Sequence, residues 1–164
     1  EDSIQVTKRR VLALLFAAIV SLGAASFLGS QRVRNSLAIE GVALLSTPEE
    51  LGSLGWELSN SAKENTNEPI LVRDGASLGV VFENGKAIIL EGHTLTTYGE
   101  TLRSGMSRSE IEQSLGQPTT QAESKIDGNL VDSFEYRNWL GLPVLSLQVN
   151  YDENRVRNFS MHLK

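Results

Sequence analysis

Two stretches of this chain repeat each other, and an internal duplication restricts the possible folds more than any single motif. Ser46-Thr47-Pro48-Glu49-Glu50-Leu51-Gly52-Ser53-Leu54-Gly55 aligns with Ser107-Arg108-Ser109-Glu110-Ile111-Glu112-Gln113-Ser114-Leu115-Gly116. Further on, Ser77-Leu78-Gly79-Val80-Val81-Phe82-Glu83-Asn84-Gly85-Lys86 aligns with Ser146-Leu147-Gln148-Val149-Asn150-Tyr151-Asp152-Glu153-Asn154-Arg155. The pattern predicts a small helix-then-strands unit present twice. A period of roughly 60 to 70 residues predicts paired modules sharing one sheet, since solenoids repeat every 20 to 50 or so. Such a module offers a surface and little reactive chemistry.

In front of the repeat, no residue from Val11 to Gln31 is charged, and Val11 to Leu28 is apolar or small throughout. As a helix rising ~1.5 Å per residue, that stretch would cover about 27 Å, enough to span a bilayer. Lys8, Arg9 and Arg10 precede it and Arg32 and Arg34 follow it, a slight excess that favours a cytoplasmic N-terminus and an extracytoplasmic C-terminal domain, periplasmic or extracellular. A cleaved signal peptide is the competing reading, with Gly23-Ala24-Ala25 as its small-residue cleavage site. The chain opens at Glu1 without a methionine, and a signal peptide that had lost its own start would rarely survive, which favours the anchor. Ala13, Ala17, Ser21, Ala25 and Gly29 recur at every fourth position, a ridge of small side chains that would let a second membrane helix approach closely. A chance row in a segment rich in Ala, Gly and Ser is the alternative.

From Asn35 onward ten Lys and Arg stand against eighteen Asp and Glu, a balance of minus 8. That charge argues against a nucleic-acid partner and against anionic lipid headgroups, so any membrane attachment is expected through residues 11–31. There is no cysteine, which excludes disulfides, thiolate metal sites, thiol nucleophiles and a lipid-bearing cysteine.

In the first unit Ser46 with Glu49, or Thr47 with Glu50, forms a capping box, and Pro48 suits an early helical position. In the second, Ser107 and Glu110 do the same, Ile111 and Leu115 make an i, i+4 apolar pair, and Gly116 with Pro118 stops the helix. Ile70 to Val72, Leu78 to Phe82 and Ala87 to Glu91 read as an antiparallel meander turning at Asp74-Gly75 and Asn84-Gly85. Leu130 to Trp139, Leu145 to Tyr151 and Val156 to Leu163 repeat it, with a turn at Glu153-Asn154; Ser59 to Glu68 and Gln121 to Asn129 read as loops. Alternation sends Leu147, Val149, Tyr151, Phe159, Met161 and Leu163 toward the helices. It leaves Gln148, Asn150, Asn158, Ser160 and His162 on a polar outer face.

Little in this sequence carries reaction chemistry. His93 and His162 hold corresponding places and could converge, but two imidazoles without a placed carboxylate make a poor metal site. The acidic pairs Glu110/Glu112 and Asp152/Glu153 fall at a helix start and a hairpin turn. No Gly-x-Ser-x-Gly setting and no phosphate-binding Gly-rich loop is present. Asn158-Phe159-Ser160 fits the glycosylation pattern, which matters only in a eukaryotic secretory compartment. Trp139-Leu140-Gly141-Leu142-Pro143-Val144 is an apolar hairpin tip where a polar one is usual; either it folds back onto the core or it inserts into a partner or a bilayer surface. No catalytic residue, cofactor or metal is expected, and no small-molecule substrate.

Leu102-Arg103-Ser104-Gly105-Met106-Ser107-Arg108-Ser109-Glu110-Ile111-Glu112-Gln113-Ser114-Leu115-Gly116-Gln117-Pro118 resembles the opening of the SmpA/OmlA (BamE-like) domain. In that family a Gly-Met-Thr/Ser phrase leads into a helix ending Leu-Gly-x-Pro, followed by a three-stranded meander. Ser133-Phe134-Glu135-Tyr136, Leu147-Gln148-Val149-Asn150-Tyr151 and Asn154-Arg155-Val156 resemble that meander, so the likeness covers roughly Leu102 to Met161. The doubled form is similar in plan to the β-lactamase inhibitory proteins. Both resemblances imply a non-catalytic envelope or extracellular binding module. The absence of cysteine departs from both.

The resulting expectation is an α+β fold: two tandem helix-plus-antiparallel-meander units forming one sheet-on-helices domain, behind one transmembrane helix. Residues 1–10 would be a cytoplasmic tail, 11–31 the membrane helix, 32–37 a tether, 38–98 the first repeat and 99–164 the second, BamE-like one. The expected function is a membrane-anchored, extracytoplasmic protein-binding module, an accessory or assembly subunit of an integral membrane protein complex. It would bind through Trp139, Leu140, Leu142, Gln148, Asn150, Asn158 and His162, and pack in the membrane through Ala13, Ala17, Ser21, Ala25 and Gly29. The alternative is a secreted or anchored inhibitor or immunity protein that blocks an enzyme through its sheet face. Small-ligand sensing in a groove between the units ranks third.

Overall fold

The computed structural model describes residues 36–59, 69–123, 128–138 and 140–164, together with Val20, Ser21 and Ala24. In the first half β1 (Leu37–Ile39) is followed by α1 (Pro48–Ser53), β2 (Glu57–Leu58), β3 (Ile70–Arg73), β4 (Ala76–Glu83) and β5 (Lys86–Gly92). A short hairpin, β6 (Thr94–Thr97) and β7 (Glu100–Arg103), leads into α2 (Arg108–Leu115). The chain then closes with β8 (Thr120–Glu123), β9 (Leu130–Arg137), β10 (Pro143–Asp152) and β11 (Arg155–Leu163).

All these strands pair antiparallel. One sheet has eight strands in the order β2-β3-β4-β5-β11-β10-β9-β8, and a second has three in the order β1-β6-β7. The halves of the chain join where β5 meets β11, through Gly92↔Phe159, Leu90↔Met161 and Ile89↔His162. The hairpin turns use the residue pairs that tolerate a positive φ at both central positions: Asp74 and Gly75 at 51° and 83°, Asn84 and Gly85 at 51° and 71°. Glu153 and Asn154 turn the same way at 47° and 68°.

Both helices begin with a reciprocal capping box. Thr47 Oγ1 accepts from the Glu50 N–H while Glu50 Oε2 accepts from the Thr47 N–H at 2.9 Å, and Ser107 and Glu110 repeat the exchange, with Ser107 N–H donating at 2.7 Å. Each helix entry is also tied to a hairpin of the large sheet. Leu45 and Ser46 exchange backbone bonds with Ala87, while Arg108 N–H donates to the carbonyl of Asn154.

The α+β expectation is corrected: the described chain is mostly β, built on a large antiparallel sheet. Seven interstrand spacings of about 4.8 Å make that sheet about 34 Å wide. The helices have 6 and 8 residues, so at ~1.5 Å per residue the longer is about 12 Å and cannot roof the sheet. The three-stranded sheet supplies much of the roof, with β1 packing against β5 and β11. The tandem helix-plus-meander reading is corrected with it, because only two short helices stand among eleven strands in the described residues.

The single-pass membrane placement is corrected as well: among the described residues no helix is long and apolar enough to cross a membrane. Residues 11–31, apart from Val20, Ser21 and Ala24, lie outside the described residues.

The core lies between the roof and the inner face of the large sheet. Leu37, Ile39, Leu51, Leu95 and Ile111 meet Leu78, Leu90, Leu145, Leu147, Phe159 and Met161, all fully buried or nearly so. Two arginines fasten the helices to this sheet. Arg73 lies 4.5 Å over the Trp56 ring and donates to the carbonyl oxygens of Leu54 (3.0 Å) and Glu40 (3.3 Å), holding the exit of α1. Arg108, first residue of α2, donates through Nε to Asp132 Oδ2 (2.8 Å) and through Nη2 to Oδ1 (3.1 Å). Asp132 is fully buried on β9, in phase with Phe134, and this forked pair compensates its charge.

At the corner where the chain passes from β5 to β6, Gly92 leaves no room for a side chain. A Cβ there would stand 2.6 Å from Ile39 Cγ2 and 2.8 Å from Glu40 Cγ. Glu40 Oε1 accepts the N–H groups of His93 (2.7 Å) and Thr94 (2.8 Å), locking the corner.

Candidate functional site

Strand register separates the large sheet into two chemical faces. On the inner side, Val80, Leu90, Met161, Leu147 and Phe134 stand side by side on successive strands and are buried. One residue along each strand, the outer face carries the row Ile70, Gly79, Glu91, Ser160, Gln148, Ser133 and Thr120. A second outer row runs Val81, Ile89, His162, Ser146 and Glu135, and a third runs Asn158, Asn150, Val131 and Ala122. Register therefore brings Gln148, Asn150, Asn158 and His162 together on β10 and β11, half-buried and on one face.

Two adjoining hollows cross this face. One, of about 210 Å3, lies among Ile70, Ser77, Gly79, Glu91, Gly92, His93 and Asn158. The other, of about 380 Å3, lies among Glu91, Asn129, Val131, Gln148, Asn150, Arg157, Asn158, Ser160 and His162. Glu91 and Asn158 belong to both, and Asn158 Nδ2 donates to Glu91 Oε1. Asn158 Oδ1 is buried without a hydrogen-bond partner among the described residues.

His93 Nδ1 lies 3.0 Å from Ser104 Oγ and 3.1 Å from the Arg157 carbonyl. A carbonyl only accepts, so this nitrogen carries the proton when it bonds there. His162 Nε2 lies 2.8 Å from Ser160 Oγ. A serine against a histidine is half of a nucleophile–base arrangement, yet Ser160 is only 7% exposed. The backbone N–H groups around it serve the ladders of β5, β11 and β10, where an acyl-transfer site would need them aimed at an oxyanion. His93 and His162 line different hollows, and no group of three potential metal ligands occurs among the described residues.

The β9–β10 hairpin tip is a built structure. Asn138 Oδ1 accepts from the N–H groups of Leu140 and Leu142 at 3.0 Å each, and Arg137 donates to the Gly141 carbonyl at 2.7 Å. Leu140 and Leu142 are 48% and 56% exposed, so these two side chains do not fold back onto the core. Trp139 lies outside the described residues, as do Ala13, Ala17, Ala25 and Gly29. Ser21, the one described position of the expected membrane ridge, is exposed.

Sequence reading missed the other half of the outer face. Ile70 and Val72 are each 38% exposed there, beside Gly79 and Glu91. The alternation that exposed the polar strip on β10 and β11 was also present in Ile70-Leu71-Val72 and Leu78-Gly79-Val80-Val81, and could have found it.

Neither a family model nor a curated protein matches this chain, so the SmpA/OmlA (BamE-like) resemblance is left without support. Among solved structures, the crystal structure of a "putative beta-lactamase inhibitor protein" from Streptococcus mutans is similar over 73% of this chain and 84% of that one, at 16% identity and a TM-score of 0.29. A likeness at that level assigns neither fold nor function here.

Proposed function

We propose that this chain is a non-catalytic protein-binding module that docks the outer face of its eight-stranded sheet onto another protein, as an inhibitor or immunity protein does. The observation that carries this reading is the size and chemistry of that face. The sixteen positions of the three outer rows, at about 4.8 Å by 6.8 Å each, cover about 520 Å2. That is about two thirds of the roughly 800 Å2 each partner contributes to a standard protein–protein interface. The hollows, about 210 and 380 Å3, fall below or near the low end of the roughly 300 to 1,000 Å3 usual for small-molecule sites.

The face mixes apolar Ile70, Val72, Val81 and Ile89 with hydrogen-bonding Gln148, Asn150, Asn158 and His162, the blend of a non-obligate interface. Beyond the Glu135–Ser146 row, the hairpin tip extends it with exposed Leu140 and Leu142.

Photo-cross-linking from the full chain tests the reading. A photoreactive residue at Gln148 or Asn150 should give one adduct of defined mass in a cell extract, whereas one at Gln113, exposed on α2, should give none. Equal capture from Gln113, or none from the sheet face, would refute docking through this face. Once the partner is isolated, its activity should fall to a plateau at equimolar addition of the chain; unchanged activity would remove the inhibitor role.

A further inference from the structure

Resting on the protein-binding reading above, we propose that the smaller hollow receives one lysine or arginine side chain of the partner protein. Its volume, about 210 Å3, suits a single long side chain better than a free small molecule. Ser77 and Gly79 bring little or no side chain to its floor and Gly92 adds backbone, so a guest reaches the strands themselves. A Cβ at Gly79 would stand 3.4 Å from Glu91 Cβ, so glycine there leaves the flank of Glu91 open.

One wall is apolar and one rim is anionic. Ile70, 38% exposed, gives the methylene stem of a lysine or arginine a surface to lie on. At the rim Glu91 is the one carboxylate among the lining residues, and Asn158 Nδ2 occupies only part of its acceptor capacity. A carboxylate has about four lone-pair sites, which suits the several donors of an ammonium or the fork of a guanidinium. His93, the other titratable lining group, turns Nδ1 to Ser104 and the Arg157 carbonyl.

Charge separates the two hollows. Arg157 lines the larger one and disfavours a cation there, which places the positive head on the Ile70 side of Glu91. The chain as a whole carries minus 5 with an isoelectric point near 5.1, so its average field also draws a basic partner surface.

The test is a titration of the 15N-labelled full chain, followed by NMR, with N-acetyl-arginine amide and N-acetyl-lysine amide as probes. N-acetyl-norleucine amide, which keeps the stem without the charge, and N-acetyl-glutamate amide are the controls. The cationic probes should shift the amides of Ser77, Gly79 and Gly92, with norleucine about fivefold weaker. Glu91→Gln should weaken the cationic probes by about fivefold and leave norleucine unchanged. Ile70→Ser, at an exposed strand position, should weaken both kinds.

Equal binding of norleucine, indifference to Glu91→Gln, or no shift at the solubility limit of the cationic probes would overturn the proposal. Cross-links retained at Gln148 despite failed titrations would remove this pocket and keep the docking face. Successful titrations without face cross-links would remove the docking reading itself.

Discussion

Replacing Arg108 by alanine should be among the most damaging single changes in the second half of the chain. Its guanidinium makes two hydrogen bonds, 2.8 and 3.1 Å, to a carboxylate with no solvent exposure. Removing one member of a buried pair leaves the other charge uncompensated and costs about 3–5 kcal/mol. The second contact of Arg108, 3.3 Å to Glu112 one helical turn on, is partly solvated and adds only about 0.3–0.5 kcal/mol. The hydrogen bonds to Asp132 raise the pKa of Arg108 above its already high value, so deprotonation does not relieve the pair at accessible pH. For a folded part of about 130 residues the loss should lower Tm by about 10–20 °C. Urea denaturation of the full chain measures it, as a lower midpoint at constant m-value. The double variant Arg108→Met with Asp132→Leu should recover most of the stability, since an apolar pair of similar volume replaces a buried ionic one at little cost. A loss below about 1 kcal/mol for Arg108→Ala would show that the pair behaves as a surface one, and that α2 is held by Ile111 and its cap instead.

Two glycine substitutions should act in opposite directions in the same assay. Gly92→Ala should cost about 1–3 kcal/mol by driving a methyl group into Ile39, whereas Gly52→Ala, helical with open space around it, should stabilise by about 0.5–1 kcal/mol. Ser107→Ala should cost about 1 kcal/mol through the lost cap. Its partner Glu110 is held below the usual carboxylate range by accepting from the Ser107 hydroxyl and N–H. The stability from that contact should therefore be complete above pH 4.5 and fade only as pH falls through the lowered value, which acid titration of wild type against Glu110→Gln would reveal. Burial, with a smaller contribution from Tyr98, pushes Tyr136 from 10 up to about 12. Its neutral form is favoured on folding, so the stability it contributes should be whole below pH 10 and disappear as pH climbs toward 12; an absorbance titration of Tyr136→Phe should lack that late phenolate step. Leu140→Ser with Leu142→Ser should change stability by less than about 0.5 kcal/mol yet reduce cross-linking from Gln148, and the reverse pattern would make the tip structural.

Local features were legible because their causes are local. Thr47 with Glu50 and Ser107 with Glu110 announce helix starts, and Asp74-Gly75, Asn84-Gly85 and Glu153-Asn154 announce hairpins, through chemistry confined to four residues. Period-2 alternation likewise determined that Leu147, Val149 and Tyr151 face inward while Gln148 and Asn150 face outward. The α+β label did not survive because a cap signals where a helix begins and says little about its share of the roof. Thr94–Thr97, too short to stand out by pattern, pairs with Leu37–Ile39 across more than fifty intervening residues to form most of a second sheet.

Tertiary structure alone decided the rest. The join of β5 to β11 sets Glu91 of the first half beside Asn158 and Ser160 of the second, and so creates the candidate site from residues no spacing relates. The burial of Asp132 is likewise possible only because α2 places Arg108 against it. The physical reason is common to both: near-neighbour sterics and hydrogen bonding act along the chain and can be read from it. Which distant surfaces share a core depends on the burial they achieve together, and a linear pattern does not record that.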